Sequence, residues 1–409
     1  MHKYLNFQEA VNASLKYAKS AYSREIISLD KALGRVLSKD LFCIKNLPSF
    51  NNSAMDGFAI KAKDAGKTLK VKITIFAGDS ADVVLNESQC CKIMTGAKVP
   101  DDADTIIPIE DVDSYENDLV KIKKNVKKGV SLRLKAEEMA IGDLLFKKGE
   151  EITSSMTALL ASQGIIMIEV YKKLTIAVVS TGNELKEPWQ NANEEEIYNC
   201  NSYALISLLN EKGFDSCYTG LVPDNLEKSI DFVRDLKNYD VIITSGGISM
   251  GDADFVGEAF KQNGLETIFH GVNIKPGRPI MMGKMDKTFV ICLPGNPLTA
   301  MVNMHLFAIL VLRKIQGHNS YFHDIEKAKN IKNFRCKEGR VNIVLGTCNK
   351  GEFEVTRENK YGSGMISILN ESNAMLVTNE GRSCIEAGEI VNLIRFNCSY
   401  LNEQTNIFN

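Results

Sequence analysis

Between Leu174 and Ala300 short apolar runs alternate with helically spaced segments, and most of the polar chemistry falls where an apolar run stops. LTIAVV and DVIIT have the length and continuous apolarity of buried strands. Ser202 to Lys212 carries Leu205, Ile206, Leu208 and Leu209 at helical spacing, and Leu226, Ile230, Val233 and Leu236 stripe a further helix. This alternation predicts a parallel sheet covered on both faces. Ligands of such sheets bind beyond the carboxyl ends of the strands. That is where STGNEL (Ser180 to Leu185), VPDN (Val222 to Asn225), SGGISMGDAD (Ser245 to Asp254) and KPGRP followed by LPGNP (Lys275 to Pro297) fall.

Outside this stretch, Phe7 to Ala18 reads as an amphipathic helix with Ala10, Val11, Leu15 and Ala18 on one face. From Leu69 to Val120 short β segments separated by Gly and Pro turns predict a compact β-rich module. A helix with Thr153 as its N-cap and Gly164 as its stop precedes the sheet. Beyond a polar hinge at HNSYFHD, short strands continue to the end and predict a small all-β domain, sandwich or barrel.

A chain of 409 residues predicts about two to four domains. With 49 Lys and Arg against 51 Asp and Glu, no global field recruits nucleic acid or an acidic membrane, so an anionic ligand must be held locally. Ten scattered cysteines without a CxxC suggest neither a disulfide framework nor a zinc cluster and fit a reducing cytoplasm. The first twenty residues lack the apolar core of a signal peptide, and no run of about 18 apolar residues occurs, so a soluble protein is expected.

SGGISMG offers Ser245, Gly246, Gly247, Ser249 and Gly251 between a strand and a helix, where backbone N–H groups can converge on a phosphate. A plain tight turn explains the same residues. Glu184, Asp224 and Asp254 each follow a separate strand, a placement from which carboxylates can hold Mg²⁺ beside phosphates. KPGRP brings Lys275 and Arg278 to a loop stiffened by prolines, suited to an oxyanion. LPGNP is a rigid turn with Pro297 placed to open a helix. NNSAMDG and MTGAKVP read locally as an exposed turn and a hairpin end. No nucleophile triad stands out, so any chemistry rests on positioning and charge stabilisation.

NSAMDGFA, IMTGAKVP, VVSTGNEL, SGGISMGDAD, KPGRP and LPGNPLTA, in this order over essentially the whole chain, resemble the molybdopterin molybdenumtransferase family, the MoeA proteins and the E domain of gephyrin. The resemblance implies insertion of molybdate into adenylylated molybdopterin, with Mg²⁺-dependent release of AMP. It also implies a homodimer of four-domain subunits, with a molybdopterin adenylyltransferase as a possible supplier of substrate. In this sequence the expected parts are residues 1–47 with 138–172 as a discontinuous linker and dimerisation domain, and 48–137 as a β-rich module. Residues 173–318 are expected as a parallel-sheet α/β domain of the molybdopterin-binding type, and 325–409 as a C-terminal all-β, barrel-like domain.

Carried over by motif, Asp56 and Thr95 from the β module join Glu184 and Asp254 as catalytic residues, and Glu184, Asp224 and Asp254 hold the metal. Lys275 and Arg278 contact anionic groups, while Pro294 and Pro297 shape the floor. Three motifs depart from the family pattern. Asn183 stands where STGDEL has an acid. RLKAEE replaces RxxGED, so Ala136 stands for Gly and Glu138 for Asp, moving a potential metal-contacting carboxylate outward by roughly 1.5 Å. Arg278 stands where KPGKP has Lys, and the two cations are not equivalent at phosphate sites. Two other readings accompany this one. Adenylylation of molybdopterin matches only the 174–318 portion, and a non-catalytic scaffold would use the same fold to cluster proteins.

Overall fold

The computed structural model describes the chain outside residues 1–3, 20–22, 81, 224 and 247–254. It divides into two compact units: Met1–Lys39, Lys148–Ala158 and Ile166–Asn409 form one, and Asp40–Lys147 with Leu159–Ile165 form the other.

The first unit opens with the helix Phe7–Tyr17. Asn6 Oδ1 accepts from Glu9 N–H at 2.8 Å and Glu9 returns a carboxylate oxygen to Asn6 N–H at 3.0 Å. This capping box satisfies two donors that a helix start leaves unpaired. The face the spacing predicts, Ala10, Val11, Leu15 and Ala18, is buried, and Phe7 joins it.

The central sheet is built from β1 (Ile176–Ser180), β2 (Ser216–Leu221), β3 (Val241–Ser245), β4 (Glu266–His270), β5 (Met281–Met285) and β6 (Thr288–Leu293). Between them run α1 (Asn201–Glu211), α2 (Leu226–Asp235) and α3 (Phe255–Gln262). The strand order is β2-β1-β3-β6-β5-β4. The first four are parallel, as expected, whereas β5 and β4 continue the sheet antiparallel. The reversal comes from Asp286 and Lys287, a two-residue turn with Asp286 at φ 52°, too short for a crossover.

Alternate residues of each strand serve opposite faces. Ile176, Val178, Val241, Ile243 and Ile291 pack with α1 and the helix after β6. Ala177, Val179, Ile242, Val290 and Cys292 pack with Val233, Leu236, Ala259 and Phe260. A fully buried side chain such as Ile243 stabilises the fold by about 1.5–3 kcal/mol. Pro297–Gln316 is one helix of 20 residues, long and apolar enough to cross a membrane, but 89% of its apolar window is buried inside the unit. It is a core helix.

The chain then forms β7 (Glu326–Asn330), β8 (Val341–Asn349), β9 (Glu352–Val355), β10 (Ala374–Val377) and β11 (Ile390–Arg395). They pair in the order β8-β9-β7-β11-β10, and β10 returns to β8, closing a five-strand barrel. Of the two all-β forms expected, the barrel is the one adopted. The two-residue strand Ile274–Lys275 adds to it in parallel, opposite Val341 and Asn342.

In the second unit a six-stranded sheet has the order Thr105–Pro108, Gly57–Ile60, Gln89–Ile93, Thr68–Ile75, Leu119–Lys121, Ser114–Glu116. Gly57 is required by close approach, because a Cβ there would stand 2.0 Å from the Ile107 carbonyl oxygen. That fixes the residue next to Asp56.

Candidate active site

Three strand ends meet at the carboxyl edge of the central sheet, where a cavity of about 770 Å³ is lined by Ser180, Glu184, Asn201, Ser245, Gly246 and Pro294, among others. The first turn of α1 ties them together. Asn201 Nδ2 donates to Ser245 Oγ at 2.6 Å and to the Gly295 carbonyl at 2.7 Å. Thr181 N–H donates to the Ser245 carbonyl at 3.2 Å. Gly246 sits at φ 86°, and a Cβ on it would lie 2.9 Å from Thr181 Oγ1, so only glycine lets the loops close this tightly. Glu184 is exposed on the cavity wall beside Asn183. Asp224, Gly247, Ser249, Gly251 and Asp254 lie outside the described residues. Among the described residues no group of three metal-ligating side chains occurs.

Beneath this wall is a polar network that the sequence reading missed. Asn199 Nδ2 donates to Glu187 Oε1 at 3.1 Å and to the Tyr218 hydroxyl at 3.0 Å. Asn199 Oδ1 accepts from Ser180 Oγ at 3.2 Å and Ser202 N–H at 3.3 Å. Tyr218 donates to Glu187 Oε1 at 2.5 Å, which fixes the amide orientation. Burial, with the Glu187 carboxylate next in size, pushes the Tyr218 phenol well above its usual range. A lone Glu in a loop carries no sequence signal for such a role, since its partners come from two other elements.

Lys275 and Arg278 line a second cavity of about 460 Å³, together with Arg340, Asn296, Tyr361 and Ser363. The structure thus adds a third cation, Arg340, whose Nε is buried without a hydrogen-bond partner. The Arg278 guanidinium stacks 4.8 Å from the Tyr4 ring centroid, a cation–π contact that orients it. Pro279, Pro294 and Asn296 line both cavities. Pro294 is buried at this lip, and Pro297 occupies the first turn of the long helix, as its spacing suggested.

One wall of the second cavity is a strap in which Arg357, Glu358 and Asn359 take φ of 46°, 55° and 62°. Three consecutive left-handed residues without glycine are costly for L-amino acids. Arg357 holds the turn by a two-pronged ion pair with Glu371, Nε to Oε2 at 2.9 Å and NH2 to Oε1. Asn359 Nδ2 donates to the Arg335 carbonyl at 3.0 Å.

In the second unit, exposed Asp56 and Thr95 come together directly. Asp56 Oδ1 accepts from Thr95 N–H and from Thr95 Oγ1, each at 2.7 Å. The Thr95 hydroxyl, then its N–H, holds the Asp56 carboxyl below the usual carboxylate range. Glu138 is exposed, with its N–H on the Leu47 carbonyl at 3.0 Å, and Ala136 adopts φ 62°.

The fold class is that of a multidomain molybdopterin-binding protein. Residues 5–164 match the MoeA N-terminal region (domains I and II), residues 177–314 a probable molybdopterin binding domain, and residues 327–396 the MoeA C-terminal region (domain IV). The chain is 30% identical over 402 residues to the molybdopterin molybdenumtransferase of Haemophilus influenzae, covering 96% of this chain and 99% of that protein. A protein of the same name from Staphylococcus epidermidis is 30% identical over 378 residues, 90% of each chain. The crystal structure of a molybdopterin biosynthesis MoeA protein from Pyrococcus horikoshii superposes with a TM-score of 0.83 at 27% identity, over 96% of this chain and 100% of that one. The chain belongs to the molybdopterin molybdenumtransferase family, whose members are transferases of molybdenum cofactor biosynthesis.

Proposed function

We propose that this protein inserts molybdenum from molybdate into adenylylated molybdopterin and releases AMP in a Mg²⁺-dependent step. The observation that carries the reading is the pair of cavities sharing the lip of Pro279, Pro294 and Asn296: a mouth large enough for a nucleotide-bearing ligand adjoins a smaller one lined by three cations. Lys275, Arg278 and Arg340 neutralise a tetrahedral oxyanion in the smaller cavity. Ser245, Gly246, Gly247, Ser249 and Gly251 are assigned to the phosphates at the mouth.

Glu184, with Asp224 and Asp254, is assigned to Mg²⁺. The cavity that Glu184 lines also carries Ser180, Thr181 and Ser245, whose oxygens are the donor type a hard cation takes. A Mg²⁺ held by these residues would supply positive charge to the phosphate oxygens. Asp56, kept ionised by Thr95, serves as a fixed hydrogen-bond acceptor rather than as an acid. Pro294 and Pro297 keep the floor rigid, so little reorganisation accompanies the reaction. The reading includes a homodimer, delivery of the substrate by an adenylyltransferase, and a cytoplasmic location.

AMP release from adenylylated molybdopterin, with Mg²⁺ and molybdate omitted in turn, tests it. Release that requires both, with a product that activates an apo-molybdoenzyme, is expected. Binding without release overturns the catalytic reading and favours a scaffold.

A further inference from the structure

Asn296 stands immediately before the first turn of the long core helix, the position where an Asn side chain ordinarily accepts from a free helical N–H. It makes no such bond. Its main chain is nevertheless pinned: the Asn296 carbonyl accepts from Ala300 N–H at 3.0 Å and from Thr299 Oγ1 at 2.8 Å, and prolines 294 and 297 stand on either side. The side chain instead crosses to the strap, where Nδ2 donates to Ser363 Oγ at 2.9 Å. Ser363 lies between Gly362 and Gly364, and a Cβ on Gly362 would meet nothing within 4 Å. The strap is anchored upstream, by the Arg357–Glu371 pair and by Tyr361, whose hydroxyl accepts from Leu345 N–H at 2.8 Å. One end of the contact is therefore rigid and the other is a short small-residue segment.

We propose that the Asn296–Ser363 hydrogen bond is a latch between the two cavities, and that Asn296 is a positioning residue for the handover of the oxyanion from one to the other. Asn296 has two exclusive places for its side chain. Latched, it closes the lip between the cavities and leaves its helix uncapped. Released, Oδ1 turns to accept from the free N–H groups of Leu298 or Thr299, which offsets the lost bond to Ser363 and clears the lip. The switch needs only a side-chain rotation, because the backbone is held in both states. This inference rests on the function proposed above.

The test compares wild type with Asn296→Ala and Asn296→Ser. Serine restores a capping side chain but is too short to reach Ser363. Molybdate binding alone is measured by calorimetry, and AMP release is measured at saturating molybdate, adenylylated molybdopterin and Mg²⁺. Both variants are expected to bind molybdate within about twofold of wild type and to lose about tenfold or more in kcat with little change in the molybdate KM. Wild-type kcat in either variant overturns the latch, and recovery in Asn296→Ser alone assigns the alanine effect to the helix start. A parallel fall in molybdate affinity makes Asn296 a ligand instead. Wild-type protein that binds molybdate but releases no AMP removes the proposed function and the latch with it.

Discussion

Asp56 and Thr95 form a closed pair: one carboxylate oxygen, Oδ1, accepts both the N–H and the hydroxyl of the same threonine at 2.7 Å. Thirty-nine residues separate them in sequence, and both read locally as turn residues. Their pairing holds the carboxyl low, so the ionised form is the working one.

Thr95→Val removes the hydroxyl donor and lets the Asp56 carboxyl rise toward its ordinary value. A carboxyl with a depressed pKa is ionised above that pKa and loses its charge as pH falls through it. The acid limb of the pH–kcat/KM profile is therefore expected to move to higher pH in Thr95→Val. Asp56→Asn is expected to lower kcat by about 10²-fold with the melting temperature unchanged, since the side chain is exposed. An unmoved acid limb in Thr95→Val would detach this pair from the reaction.

Lys275→Ala is expected to weaken molybdate binding about tenfold at low salt, with a smaller loss at about 1 M salt, where screening acts within about 3 Å. The measurement is a titration at two ionic strengths. A loss independent of salt points to packing of the KPGRP loop.

Ala136 occupies φ 62°, a region glycine enters freely and alanine does not. This explains in physical terms why Gly stands there in the family pattern. Ala136→Gly is expected to raise stability by about 0.5–1 kcal/mol, the relieved strain exceeding the added freedom of the unfolded chain. Denaturant unfolding of the two proteins decides it.

His305, His318 and His323 are buried and held neutral, with pKa values pushed down by burial to about 3, 3 and 4. Unfolded, each titrates near 6.5, so between that pH and its folded value the unfolded chain binds the extra proton. Stability therefore falls as pH drops below about 6.5, by up to about 1.4 kcal/mol per pH unit for each histidine. The expected signature is a melting temperature that declines from pH 7 to pH 5. In His305→Phe, next to the stacked Phe396 ring, the decline is expected to be shallower. Identical slopes in the two proteins would show that His305 takes up no proton on unfolding.

The fold was legible wherever periodicity spoke. Phe7–Tyr17, the alternating faces of Ile176–Ser180 and Val241–Ser245, and the closing run of strands all follow from apolar spacing. Strand direction was not, because Met281–Met285 and Thr288–Leu293 read the same parallel or antiparallel. Only the two-residue turn at Asp286 carries the distinction. For the candidate site, the sequence pointed to positions where a motif concentrates chemistry, as at Glu184 and Lys275, each of which lines a cavity. It was silent where the partner lies far along the chain: Glu187 with Tyr218, Arg340 with the KPGRP cavity, Asn296 with Ser363. No local pattern encodes a contact made by tertiary packing.

Ile274 and Lys275 lie in the ladder of the barrel, beside Val341 and Asn342. The cationic loop is thus held from two sides, by Asn303 Nδ2 donating to the Gly277 carbonyl at 2.9 Å and by a strand translated 67 positions later. A nascent chain that has completed the central sheet still lacks the strand partner that sets Lys275, and a fragment ending at Gly317 would carry the charge without the address. Competence to hold an oxyanion then depends on β8 as well as on the central sheet.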